Sequence, residues 1–202
     1  MTRFVVTGTD TGIGKTIFSA ALAGALGVPY WKPIQAGLEE ETDSEVVARL
    51  AGAAIHPEAY RLKTPASPHL AAEIDGVNID PDMLTPPPGA LIVEGAGGAL
   101  VPVTRTIVYA DLFARWQIPV IICARTSLGT INHSLLTIEA LRSRGAPIHG
   151  LAFLGDPVPD SEATIAQISG IRHLGRLPVL DPLTPETLAA AFAAHFDLAD
   201  FV

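Results

Sequence analysis

Cysteine is almost missing from this chain: Cys123 is the only one among 202 residues. An intrachain disulfide framework is thereby excluded, and nothing points to an oxidising compartment. Cys123 lies within Val120-Ile121-Ile122-Cys123-Ala124, where a small buried side chain is expected rather than a reactive thiol. Charge is also scarce, at 17% of residues, and leans negative, with a net of −8. Such a balance offers nucleic acid or an anionic membrane no general attraction, so an anionic ligand must be held by local groups. The richest apolar stretch, residues 17–31, is cut by Gly24, Gly27 and Pro29 and falls short of a membrane span. The N-terminus lacks the basic, apolar and cleavage regions of a secretion signal, and the expected setting is cytoplasmic and soluble. The six histidines (His56, His69, His133, His149, His173, His195) show no paired metal-ligand spacing, and none is assigned a catalytic role. No internal repeat is apparent.

What the chain does have is apolar residues, 49% of the total, dispersed in short runs. Its length suits one domain spanning residues 1–202. Continuous apolar runs at 4–6, 28–31, 90–93, 119–124, 148–154 and, weakly, 173–177 read as strands covered on both faces. Helical patterns fall at 15–26, 44–51, 108–116, 131–143, 161–169 and 185–196. This alternation predicts an α/β fold, a mostly parallel β-sheet with helices on both faces. Ligands in such sheets sit beyond the carboxyl ends of the strands. The proline-rich region 56–89 is least regular and reads as an excursion within the domain, with a turn entering a short helix near 64–73.

The strongest single signal is Gly8-Thr9-Asp10-Thr11-Gly12-Ile13-Gly14-Lys15-Thr16, placed between the first strand and the first helix. A turn of this kind points backbone N–H groups and a helix N-terminus at a polyphosphate, with Lys15 on the outer phosphates and the Thr16 hydroxyl on Mg²⁺. One residue more than the standard spacing separates Gly8 from the Gly14-Lys15-Thr16 end, so Gly8 is read as strand-exit geometry. Other strand exits carry further groups. Lys32, before Pro33, is either a surface lysine or a compact cation facing the phosphates. Glu39 to Glu41 read as a solvated loop, whereas Asp43 directly precedes a helix that would pack near the phosphate turn. Glu94 ends an apolar strand and is followed by Gly95-Ala96-Gly97-Gly98. A carboxylate at that position suits a metal partner, since Mg²⁺ takes one or two carboxylates plus phosphate and water. The exposed N–H groups at the helix start Gly129-Thr130-Ile131-Asn132 could receive a carboxylate, and Thr130 reads as an N-cap, alone or with a ligand role.

Taken in order, these motifs resemble the dethiobiotin synthetase family, which implies that the α/β fold is P-loop NTPase-like. The resemblance rests on Gly-Thr-Asp-Thr with Gly-Lys-Thr, Lys32-Pro33, Asp43, Pro68-His69-Leu70-Ala71-Ala72, Glu94 to Gly98 with Val101-Pro102, Gly129 to His133, and Gly175-Arg176-Leu177-Pro178. It implies an ATP-dependent ligase acting on 7,8-diaminopelargonic acid and CO₂ through a carbamate and a carbamic–phosphoric anhydride. By position, Gly12, Ile13, Gly14, Lys15, Thr16, Ile17, Asp43, Glu94, Gly95, Ala96, Gly97, Leu177, Pro178 and Val179 would hold the nucleotide. Thr16, Asp43 and Glu94 would hold Mg²⁺. Lys32 and Lys15 would stabilise the carbamate and the migrating phosphoryl charge. Thr11, Lys32, Ala36, Gly37, Gly129, Thr130, Ile131 and Asn132 would contact the diamine, the last four from the partner subunit of a homodimer. Two positions depart from the family. Ala36 stands where a hydroxyl is usual, and Phe153-Leu154-Gly155-Asp156 stands where an asparagine reads adenine, leaving Asp156 or the backbone of 177–179 for that task. The competing reading is a nucleotide-switched partitioning ATPase. Thr9-Asp10-Thr11 lacks the additional lysine of that class, and the acidic C-terminus, residues 196–202, disfavours a tether.

Overall fold

The computed structural model describes residues 2–202 and centres on a seven-stranded sheet whose neighbouring strands all run parallel. In chain order the elements are β1 (Arg3–Gly8), α1 (Lys15–Leu26), β2 (Tyr30–Trp31), β3 (Ile34–Ala36), α2 (Asp43–Ala51), β4 (Ile55–His56), β5 (Tyr60–Leu62), α3 (Pro68–Asp75), β6 (Leu91–Gly98), α4 (Tyr109–Trp116), β7 (Val120–Arg125), α5 (Thr130–Arg142), β8 (Ile148–Leu154), α6 (Pro159–Ser169), β9 (His173–Leu177) and α7 (Pro185–His195). The sheet order is β4-β2-β6-β1-β7-β8-β9, which sets β1 in the middle with β6 and β7 as its neighbours.

Successive side chains on a strand point to opposite faces, so a continuous apolar run feeds two cores at once. Val5, Ile122 and Phe153 join one core, closed by residues of α3, α4, α5 and α6. Phe4, Val6, Ile121, Cys123 and Ala152 join the other, closed by α1, α2 and α7. Cys123 is buried and free, as its setting predicts. An aromatic group of Phe18, Phe192, Phe196 and Phe201 binds the C-terminal segment to α1, with Phe192 and Phe196 stacked at 4.7 Å.

Several expected boundaries move. The strand expected at 90–93 runs on through Glu94 to Gly98, because Gly98 still pairs with Gly8 of β1. Glu94 therefore sits inside a strand rather than at its end. The strand expected at 28–31 shortens to Tyr30–Trp31. Asp43 opens α2 instead of preceding it, since Thr42 is the cap: its Oγ1 accepts from the Glu45 N–H while the Glu45 carboxylate accepts from Thr42 N–H. The irregular region begins at the end of β4 and holds β5, which pairs in parallel with β3 from outside the region; all three strands are too short to show a hydrophobic period. No helix among the described residues is long and apolar enough to cross a membrane.

Candidate active site

The phosphate turn leaves the carboxyl end of the central strand. Gly8 has no room for a side chain, as a Cβ there would lie 2.7 Å from Ile13 Cδ1. Gly12 and Gly14 take left-handed backbone angles, φ 66° and 95°, and Gly14 is the cap residue of α1. Lys15, the first residue of that helix, curls back and donates from Nζ to the Asp10 carbonyl at 2.9 Å. Burial lowers the Lys15 pKa below its ordinary value, and Lys32 adds to the effect against the opposing pull of Glu94.

Three segments far apart in sequence meet beside Lys15. Thr16 Oγ1 lies 2.9 Å from Asp43 Oδ1 and 3.0 Å from Glu94 Oε1. One hydroxyl proton serves only one of those acceptors at a time, so this trio of hard oxygens suits a cation. Lys32 Nζ lies 2.5 Å from Asp43 Oδ2 and 3.2 Å from Glu94 Oε1, and donates to the Gly95 carbonyl at 2.9 Å. Its three N–H donors thus meet three acceptors. Burial opposes the charge on Lys32, but Glu94 and Asp43 outweigh it and raise the pKa, so the ammonium stays charged. For Asp43, burial favours the neutral acid, and Lys32 and Thr16 outweigh it in turn to hold the carboxyl below its ordinary value. Tyr30 donates its hydroxyl to Glu94 Oε2 at 3.1 Å, and burial followed by the Glu94 charge drives its pKa up, keeping it a neutral donor.

These groups line one cleft of about 640 Å³ that also holds Thr11, Ala36, Ala96 and Gly97, with residues 65–68 on its far rim. Gly97, at φ 60°, lets Thr11 close in: a Cβ there would lie 3.0 Å from Thr11 Oγ1. Gly95 contributes its carbonyl to Lys32, and Gly37, at φ 83°, packs against Pro65 rather than lining the cleft. Ile17, Leu177, Pro178 and Val179 border an adjoining slot of about 300 Å³ that shares Gly12, Ile13, Gly14 and Ile17 with the cleft. Asp156 is exposed and does not line that slot. The segment Gly129 to Asn132 does not line the cleft of its own chain; Thr130 faces a separate hollow with Thr9, Asp10 and Arg125. Gly129, not Thr130, occupies the cap position of α5, at φ 96°, so the expected Thr130 cap is corrected: its Oγ1 is buried without a partner.

Sequence reasoning missed Gln35. This buried side chain accepts from the Asp43 N–H at 3.3 Å and donates to the carbonyls of Ala36 and Gly37, both at 3.3 Å, tying the rim to the start of α2. A polar residue following Ile34 in a buried stretch is the only sign the sequence offered. Tyr30 was hidden in the same way, as a core aromatic whose polar tip serves Glu94.

Comparison with known proteins fits this arrangement. A family model described as an AAA domain matches residues 2–187. An ATP-dependent dethiobiotin synthetase of Sphingopyxis alaskensis is 78% identical, with 100% of both chains covered. One of Agrobacterium fabrum is 62% identical over 99% of this chain and 97% of its own. Among solved structures, a ParA family ATPase from Chlorobium tepidum shares the fold at TM-score 0.56 and 11% identity, covering 96% of this chain and 92% of that one. The MinC:MinD cell division complex of Aquifex aeolicus gives 0.52 and 13%, covering 95% and 86%. The fold is thus common to several P-loop ATPases, and the level of sequence identity separates them: this chain belongs to the ATP-dependent dethiobiotin synthetase family.

Proposed function

We propose that this chain closes the ureido ring of dethiobiotin from 7,8-diaminopelargonic acid, CO₂ and ATP. The observation that carries the reading is the meeting of Lys15, Thr16, Lys32, Asp43 and Glu94 at the mouth of the phosphate turn. One amine of the diamine takes up CO₂ as a carbamate and loses a proton. A carbamate oxygen then attacks the γ-phosphorus, forming an O–P bond as the bond to the bridging oxygen breaks and ADP departs. The second amine attacks the carbonyl carbon, a proton is lost, and phosphate leaves with the oxygen it acquired. Each step moves negative charge, and the Lys32 and Lys15 ammonium groups would oppose it without giving up a proton. Thr11 stands at the wall of the cleft where the diamine would lie, and Ala36 lines the same cleft without supplying the usual hydroxyl.

The site suits Mg²⁺ by its chemistry: two carboxylates and one hydroxyl, all hard oxygens, leave room for phosphate and water. Bound there, the ion would supply Lewis-acid neutralisation of phosphate oxygens. Thr16, Asp43 and Glu94 would hold it. Gly12 to Ile17 and Glu94 to Gly97 would cradle the phosphates and ribose, with Leu177, Pro178 and Val179 beside the base. We assign Gly129, Thr130, Ile131 and Asn132 to the carboxylate tail of a diamine bound by a second copy in a homodimer. Support comes from their position outside their own cleft and from the exposed side chains of Leu100, Leu128 and Leu136 near them. The proposed setting is the cytoplasm, with no nucleic-acid or membrane partner.

Purified protein given ATP, Mg²⁺, the diamine and ¹³C-bicarbonate should yield dethiobiotin heavier by one mass unit. ADP formation without the labelled ring product would refute the assignment.

A further inference from the structure

The adjoining slot contains no side chain able to read a base. Its walls include Ile17, Leu154, Leu177, Pro178, Val179 and Leu183, and the remaining lining residues are equally without side-chain nitrogen or oxygen. Much of the nearby backbone is already engaged, and what Val179 leaves free is one N–H donor and one C=O acceptor, a pair that the edge of every common base can answer. The Gly155 N–H donates to the Leu177 carbonyl at 3.0 Å, and the Gly155 carbonyl accepts from Arg176 Nη1 at 2.9 Å. The Leu154 carbonyl accepts from the Thr126 N–H at 3.2 Å, and Pro178 has no N–H to offer. Arg176, held by that bond and facing Glu162 at 3.8 Å, does not line the slot, and neither does Asp156.

An apolar wall grips the faces of a ring and cares little about the pattern on its edge. Sites built to hydrogen-bond a group reject analogues lacking it by about 10⁴-fold or more, whereas apolar pockets discriminate by only about 10- to 200-fold. We infer that this chain accepts nucleoside triphosphates of any common base as phosphoryl donors, holding them by the triphosphate and by apolar contact with the base. The inference rests on the nucleotide-site assignment made above and extends it from ATP to its base analogues.

The test uses the intact wild-type protein. Rates of dethiobiotin formation with ATP, GTP, CTP and UTP should give kcat/KM values lying within about 10²-fold of one another. A wider gap in favour of ATP overturns the inference while leaving the ligase assignment in place; failure with ATP itself overturns the ligase assignment instead. Calorimetric binding of ADP, GDP, CDP and UDP reads the slot without chemistry. Dissociation constants within the same window are expected, and a strong preference for ADP also refutes the inference.

Discussion

Lys32 bears the heaviest duty of any single side chain here, since it alone touches Asp43, Glu94 and the Gly95 carbonyl. Lys32→Ala should lower kcat by about 10²-fold or more and leave nucleotide affinity nearly unchanged, as expected of a group that opposes charge in the transition state. Equal losses in both would make it a binding residue only. Asp43 gives a pH signature. Burial works against its charged form, but Lys32 and Thr16 prevail, so its folded pKa lies below the ordinary 3.8. A depressed carboxyl adds stability that is full above its unfolded pKa and is lost as pH falls through the folded one. Urea midpoints followed from pH 5 downward should therefore fall less steeply below about 3.8 for Asp43→Asn than for the native chain. At this scale the sequence was informative where a charged residue interrupts or follows an apolar run, as with Lys32 and Glu94. It was silent on Gln35 and Tyr30, whose partners come from other segments of the chain.

At the scale of elements, α2 shows how local chemistry places a functional group. Asp43 is its first residue, and the reciprocal bonds between Thr42 and Glu45 fix where the helix begins. Thr42→Ala should cost about 1 kcal/mol in unfolding free energy. It should also weaken turnover by loosening Asp43, and a change in stability alone would show that Gln35 suffices to hold it. Long elements marked by sustained apolar runs, such as α1 and β8, were legible to the residue. The two- and three-residue strands β2, β3, β4 and β5 were obscured or shortened, because their pairing is decided by neighbours rather than by any pattern of their own. Thr130 was misread for a related reason: a threonine before a helical run is a common cap, but the positive φ of Gly129 makes the glycine the turning point.

For the whole molecule, the parallel sheet gathers the phosphate turn after β1, Lys32 after β2 and Glu94 within β6, on strands that lie side by side in the order β2-β6-β1. That convergence follows from the alternation of apolar runs and helices, which is why the fold class could be read before any site was located. The expectation that copies pair came only from the family resemblance, since a surface leucine carries no label of its partner. Sedimentation should give the native chain a mass of two copies, and Leu136→Glu should shift it toward one with loss of turnover. A native chain that turns over fully as a single copy would remove the assignment of Gly129 to Asn132 to a shared site.

The most direct test follows oxygen. In a reaction short enough that label does not wash into water, ¹⁸O-labelled CO₂ becomes the carbamate whose oxygen attacks phosphorus. The phosphate released should carry one ¹⁸O for each ring closed. Phosphate that instead takes its new oxygen from unlabelled water would mean ATP is simply hydrolysed, and the acyl-phosphate route through Lys15 and Lys32 would be wrong.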